Sequence, residues 1–273
     1  MVVSMTAWKV EEPQKLSLDE DVQSLDVRLV AGRLNVVGAE GPARVEVSSI
    51  SAEPVHVRVE GGVLVVEHEW PRWRGIIWWL FGGRYKVDIS VVVPPEAVVK
   101  LNVVTGTVIA SSLRGGAEVD VTSGRITLLG IDGRVRGKIV SGSIEALTLG
   151  GDVDLETVSG EIVVADSTAS SVAARTISGS VTCDLDNPPV GTEVRLDTVS
   201  GEITARVRED SDLRVQLHAI SGHVVNAFPE LDQVTRNTVT GRLGTGSGGR
   251  LAANATSGSI SLLRRPVDLE DDE

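Results

Sequence analysis

Large aromatic side chains are scarce in this 273-residue chain, with five Trp, two Phe and one Tyr, and beyond Tyr85 only Phe228 remains. Most of the chain therefore has little with which to stack sugars or bases. One cysteine, Cys183, excludes an internal disulfide framework and a metal-thiolate cluster. It reads as a small strand residue. Positive charge is short: 26 Lys and Arg stand against 38 Asp and Glu, a net charge of −12. A nucleic-acid partner is disfavoured on those grounds. No apolar run approaches the roughly 20 residues that a membrane-spanning helix needs. The opening MVVSMTAWKVEEPQKLSLDED has no basic region followed by an apolar core. It predicts a cytoplasmic protein without a secretory signal, with Met1 or Met5 as the start. Nor does any stretch carry the period of a long amphipathic helix.

What is abundant is Val, Ile, Leu, Thr and 29 glycines, the composition of many short strands and turns. A repeat organises them. A Ser/Thr-Gly pair recurs as VVTGTV, VTSGRI, IVSGSI, TVSGEI, TISGSV, TVSGEI, AISGHV, TVTGRL and ATSGSI. Its glycines are Gly106, Gly124, Gly142, Gly160, Gly179, Gly201, Gly222, Gly241 and Gly258, spaced by 18, 18, 18, 19, 22, 21, 19 and 17 residues. Helical repeats need about 33 to 47 residues per unit and propeller blades about 40 or more, and no leucine-asparagine consensus is present. A β-helix is left: about nine coils, each of two or three short strands, stacked in parallel.

The columns of the repeat have distinct expected roles. The residue two after each glycine (Val108, Ile126, Ile144 and so on) should face inward. So should the residue two before it, Val104, Thr122, Val140, Val158, Ile177, Val199, Ile220, Val239 and Thr256. A second apolar cluster follows in each coil, as in Val153 and Leu155 or Val215 and Leu217. The residue preceding each repeat window reads Asp120, Lys138, Glu156, Arg175, Asp197, His218, Asn237 and Asn254. Its first five members alternate in sign, which suits a stack in which each charge lies between opposite ones. A glycine at every corner suggests a φ strained for other residues.

Residues 1–100 are expected to form an N-terminal β-rich cap, 101–265 the β-solenoid, and 266–273 an acidic disordered tail. Leu29-Val30-Ala31-Gly32-Arg33-Leu34 copies the template and reads as an initial coil or part of the cap. Ala43 to Ser48, Val55 to Glu60, Val63 to Glu67 and Tyr85 to Val93 read as antiparallel strands. Between the last two lies the segment from Trp70 to Lys86. It holds four of the five tryptophans, four basic residues and no acid. Trp70, Arg72, Trp73, Arg74, Ile76, Ile77, Trp78, Trp79, Phe81 and Arg84 are the candidate contact residues. They suit three uses: capping or self-association, an anionic membrane surface, or another protein partner.

The opening MTAWKVEEPQKLSLDE, the tryptophan segment, the TVSGEI-type units and the closing GRLGTGSGGRLAANATSGSISLLRRP together resemble actinobacterial members of the putative-adhesin family of bacterial β-strand-repeat proteins, a domain of unknown function. The resemblance covers nearly the whole chain. It implies an all-β fold, a single-stranded right-handed parallel β-helix, and brings no catalytic residues.

Candidate chemistry is thin. Asp152 with Asp154, or Asp184 with Asp186, could set two carboxylates on one side of a strand, as carbohydrate-cleaving β-helices require. The insertions Asp184 to Pro189 and Arg208 to Asp212 read as solvated loops, and His56, His68, His218 and His223 show no metal-ligand pattern. Gly244 to Gly249 (GTGSGG) lacks the Lys-Ser/Thr of a phosphate loop and reads as a turn. The reading is a cytoplasmic, non-enzymatic scaffold with no cofactor, whose wall meets a protein partner and whose tryptophan segment contacts either the inner face of the membrane or a second copy. The alternative is a carbohydrate-binding or carbohydrate-active β-helix.

Overall fold

The computed structural model describes residues 5–51, 53–68, 85–186 and 191–267. They are all β-strand, turn and loop, in two compact units, Met1–Ile139 and Val140–Glu273.

In the first unit the strands are β1 (Met5–Val10), β2 (Gln14–Ser17), β3 (Ser24–Gly38), β4 (Arg44–Ile50), β5 (Val55–Glu60), β6 (Val63–His68), β7 (Lys86–Val93), β8 (Val98–Leu113) and β9 (Ala117–Ile131). β3 is the template copy at Gly32, and it is a full rung. It pairs in parallel with β8, Gly32 opposite Gly106, and β8 pairs likewise with β9, Gly106 opposite Gly124. On its other side β3 pairs in parallel with β6 and β7. The expected antiparallel strands are present as the pairs β5–β6 and β4–β7, extended by β1 on β5 and β2 on β4. Strict alternation drives this: Val55, Val57 and Val59 are buried while His56, Arg58 and Glu60 point outward.

β10 (Val135–Leu147) brings the chain into the second unit. There follow β11 (Val153–Ser159), β12 (Ile162–Ser167), β13 (Ser171–Ser178), β14 (Val181–Leu185), β15 (Thr192–Ser200), β16 (Ile203–Arg208), β17 (Leu213–Ser221) and β18 (Val224–Asn226). The last four are β19 (Asp232–Thr235), β20 (Thr238–Leu243), β21 (Gly249–Ser257) and β22 (Ile260–Arg265). Two parallel walls result. One stacks β11, β13, β15, β21 and β17; the other stacks Ile144–Leu147 of β10 with β12, β14, β16, β22 and β18.

The order of rungs is not the order of the chain. The coil of Gly258 lies between those of Gly201 and Gly222, on both walls. The repeat at Gly241 is not a coil at all. β20 lies antiparallel on β17, Leu217 opposite Val239, and β19 lies antiparallel on β20. The expected run of coils in sequence order is corrected accordingly. All copies share one template, so any two can stack, and the local pattern does not choose between them.

The corners explain the glycines. At Gly201, φ is +148° and a Cβ would lie 1.8 Å from the carbonyl oxygen of Gly179. Equivalent contacts link Gly142, Gly160, Gly179, Gly201, Gly258 and Gly222 in that order. Rungs this close admit no side chain.

One column expectation also fails. The residues two after the glycines are buried, from Val108 through Ile260, as is the second cluster of Val153 and Leu155 or Val215 and Leu217. The residues two before them are mostly not: Val140 is 50% exposed, Val158 44%, Ile177 53%, Val199 48% and Ile220 65%, and Thr122 and Thr256 are exposed too. The inward position is one residue earlier, held by Val103, Val121, Ile139, Thr157, Thr176, Thr198, Ala255 and Ala219. That position and the next buried one are five positions apart. Alternation cannot bury both ends of an odd interval, so the Ser-Gly corner absorbs the slip. Val239 is buried because β20 runs antiparallel.

Candidate functional site

The outer face of the first wall in the second unit is built column by column. The column four residues before each glycine reads, in rung order, Glu156, Arg175, Asp197, Asn254 and His218. The expected ladder therefore exists, re-ordered by the displaced coil. Arg175 Nη1 donates to Glu156 at 2.9 Å and to Asp154 at 3.3 Å, and its Nε lies 4.0 Å from Asp197. Asn254 Nδ2 donates to Asp197 at 2.8 Å, where a second Asp or Glu would have repelled it. His218 Nδ1 lies 3.0 Å from Thr238 Oγ1. Next to this ladder runs the exposed aliphatic column of Val140, Val158, Ile177, Val199 and Ile220, interrupted by Thr256.

The sequence did not reveal that column. Its one legible signal was the odd five-residue interval, which forces the position two before the glycine outward at these corners.

In each carboxylate pair suggested for catalysis at least one member is bound by arginine. Asp154 is bound by Arg175. Asp184 is bridged by Arg206 and, at 3.3 Å, by Arg265, which also reaches Asp166 at 3.3 Å and Asp186 at 3.6 Å. Arg208 holds Asp210 at 2.7 Å. These insertion residues are an ion-pair network that ties β12, β14, β16 and β22 together rather than simple solvated loops. Carboxylates engaged by guanidinium groups are committed to holding neighbouring rungs together and do not stand open in pairs toward a substrate, as a cleaving site requires.

The GTGSGG turn already contains its anion. Asp212 accepts hydrogen bonds from Thr245 Oγ1 at 2.8 Å, from Ser247 Oγ at 3.2 Å and from the Gly246 amide. Those donors, Thr245 first, hold the Asp212 carboxyl below its ordinary range. A phosphate has no vacant cradle here. Cys183 stacks between Val164 and Ala205, and burial, with Asp184 nearby, pushes its thiol up to about 12, so it is inert as a nucleophile. His68 is buried and accepts from the Val30 amide at 3.4 Å; burial drives its imidazole down to about 4. Among the described residues no three His, Cys, Asp or Glu side chains converge as a metal site.

Of the tryptophan segment, Trp70, Arg72, Trp73, Arg74, Ile76, Ile77, Trp78, Trp79, Phe81 and Arg84 lie outside the described residues. Its flanks are fixed: β6 ends at His68, and at the start of β7 the Lys86 amide donates to Ser51 Oγ at 2.8 Å.

These features define an all-β repeat protein whose distinctive surface is a set of side-chain ladders. The chain belongs to the Toastrack DUF4097 family, with residues 99–263 matching it. Among solved structures it is similar to one described as a putative adhesin from Bacteroides fragilis, at 11% identity and a TM-score of 0.39, covering 96% of this chain and 97% of that one. Another putative adhesin, from Parabacteroides distasonis, has 10% identity and a TM-score of 0.36, covering 94% and 97%. A third, from the same organism and described as a putative lipid binding protein, has 12% identity and a TM-score of 0.27, covering 94% and 98%. None of the curated proteins matches the chain.

Proposed function

We propose that the chain is a non-enzymatic, adhesin-like interaction scaffold: a right-handed parallel β-helix with an N-terminal antiparallel β cap, presenting ladders on its wall. The observation that carries this reading is the exposed aliphatic column beside a charge ladder in the second unit. Monomeric soluble proteins seldom leave an ordered apolar row uncovered without a partner for it. The parallel registers within each unit and the antiparallel pairs of β4 to β7 support the finer fold. The arginine-bound carboxylates favour a scaffold over a carbohydrate-cleaving enzyme. Sugar binding has no described aromatic on the outer face of the second unit, since Phe228 is buried.

The tryptophan segment is the contact element of this scaffold for an anionic membrane surface, at the cytoplasmic face. Its support is compositional: indoles and arginines without an acid, in a chain of net charge −12. Co-sedimentation with anionic vesicles tests it. The wild-type protein is expected to pellet at low salt, and Trp78→Ala/Trp79→Ala to pellet at least about fivefold less, since interfacial tryptophans supply much of such binding. A wild-type protein that stays in the supernatant refutes the membrane contact.

A further inference from the structure

We propose that the ladder face of the second unit binds a second copy of the chain, in reversed rung order, about a two-fold axis parallel to the strands. The proposal rests on reading that wall as an interaction surface and names its occupant.

Such an axis lies in the plane between the two faces. It keeps every column opposite itself and reverses the rungs. The aliphatic column has six rungs: Val140, Val158, Ile177, Val199, Thr256 and Ile220. An axis midway between Ile177 and Val199 pairs Ile177 with Val199 of the other copy, Val158 with Thr256, and Val140 with Ile220. All six rungs are then covered.

The charge column decides the register. With that axis, Arg175 faces Asp197 of the other copy and Glu156 faces Asn254. No like charges meet in these four rungs. In the next column, Asp154 faces Ala252, and Ala173 faces Arg195, again without repulsion. An axis passing through a charged rung fails this condition. Centred on Arg175, it sets arginine on arginine and Glu156 on Asp197. Alternating sign thus excludes axes through the charged rungs, and of the axes between rungs only the one between Ile177 and Val199 covers all six. The contact is self-complementary, as a two-fold interface must be.

Its size sets its strength. Six rungs about 4.8 Å apart and three outward columns make a face of roughly 30 by 20 Å, about 600 Å² per copy. Standard stable interfaces bury about 800 Å² per partner, so the dimer falls in the weak, reversible class, with a Kd of roughly 1–100 µM.

Sedimentation velocity of the full chain, from about 1 to 300 µM, tests it across that range. The wild type is expected to shift from monomer to dimer. Ile177→Lys buries a charge at the central rung, and Thr256→Lys sets one against Val158. Each is expected to weaken the dimer at least about tenfold while leaving the melting temperature unchanged, because both side chains are exposed in the single copy. Val98→Lys, exposed in the first unit, is expected to dimerise as the wild type does. A wild type that is monomeric throughout overturns the proposal. So does a dimer that survives both lysine variants, or one lost only in Trp78→Ala/Trp79→Ala. Vesicle binding is read separately, so failure of the dimer and failure of the membrane contact are distinguishable.

Discussion

Substituting Gly201 by alanine tests the corner ladder. At this position φ is +148°, and the added Cβ would stand 1.8 Å from the Gly179 carbonyl oxygen and 2.7 Å from its carbon. Both are backbone atoms, so no side chain can swing aside. Opening the contact to an ordinary distance of about 3.5 Å means parting the two rungs by more than an ångström. That strains the bonds on either side of the corner, Gly179 N to Ser200 O at 2.9 Å and Gly201 N to Ser257 O at 3.0 Å. The strained backbone costs about 1–3 kcal/mol. Forced displacement of packed neighbours adds about 1–3 kcal/mol, and a lost rung bond about 1 kcal/mol. The total is about 5 kcal/mol. At roughly 2–4 °C per kcal/mol for a chain of this size, melting should fall by about 10–20 °C.

Gly130→Ala is the matched control. Its φ is +59°, but its Cβ would meet nothing within 4 Å. It should cost only the left-handed strain of about 1–2 kcal/mol. Thermal melts followed by circular dichroism separate the two. If Gly201→Ala melts within about 3 °C of Gly130→Ala, close rung contact is not what selects glycine at the corners.

Two further outcomes follow from buried polar atoms. Thr176 Oγ1 is buried with no hydrogen-bond partner among the described residues, so Thr176→Val should be neutral or raise stability by about 1 kcal/mol; a clear loss in the melt would show that the hydroxyl has a partner. His68, ordinarily near 6.5, is held at about 4 by burial. The unfolded chain therefore takes up this proton first, and stability is full above about pH 6.5 and lost as pH falls toward 4, by up to about 3 kcal/mol. Melting temperatures of wild type and His68→Asn at pH 7 and pH 4.5 should show a shallower acid loss in the variant, and equal losses would contradict the assignment.

Much of the fold was legible because the repeat is a physical device and not only a pattern. Glycines at a fixed corner and aliphatics two residues later have one structural use in a coil, and every repeat but that of Gly241 is put to it. The copy around Gly32 is recognisable for the same reason, even with alanine in the serine position. Two things were hidden. Which aliphatic near the corner points inward depends on how the backbone crosses Ser-Gly, and nothing in the composition of the corner announces that Val158 and Ile177 lie outside while Thr157 and Thr176 lie inside. The ion pairs joining Asp166, Asp184 and Asp186 to Arg265 were hidden for another reason: they link residues far apart in sequence, through rungs brought together only by stacking.

The displaced coil shows how a repeat protein can order interchangeable units. Stacking energy cannot tell Gly258 from Gly222 as the neighbour of Gly201, since both offer the same corner. The distinction lies in what each neighbour brings to the column beside it. Asn254, next to Asp197, donates a hydrogen bond to its carboxylate. On the other wall, Arg265 in that coil reaches the carboxylates of Asp184 and Asp186, whereas β18 ends at Asn226 and is too short to offer an equivalent. The coil of Gly222 instead borders β20 and β19, which run antiparallel and close that side with a short strand, all of whose residues are exposed. A full-length parallel edge would leave a longer row of unpaired backbone groups as a template for another chain. Order along the stack is thus set by the polar columns and the edge, while the aliphatic columns and glycines, common to every coil, supply the cohesion.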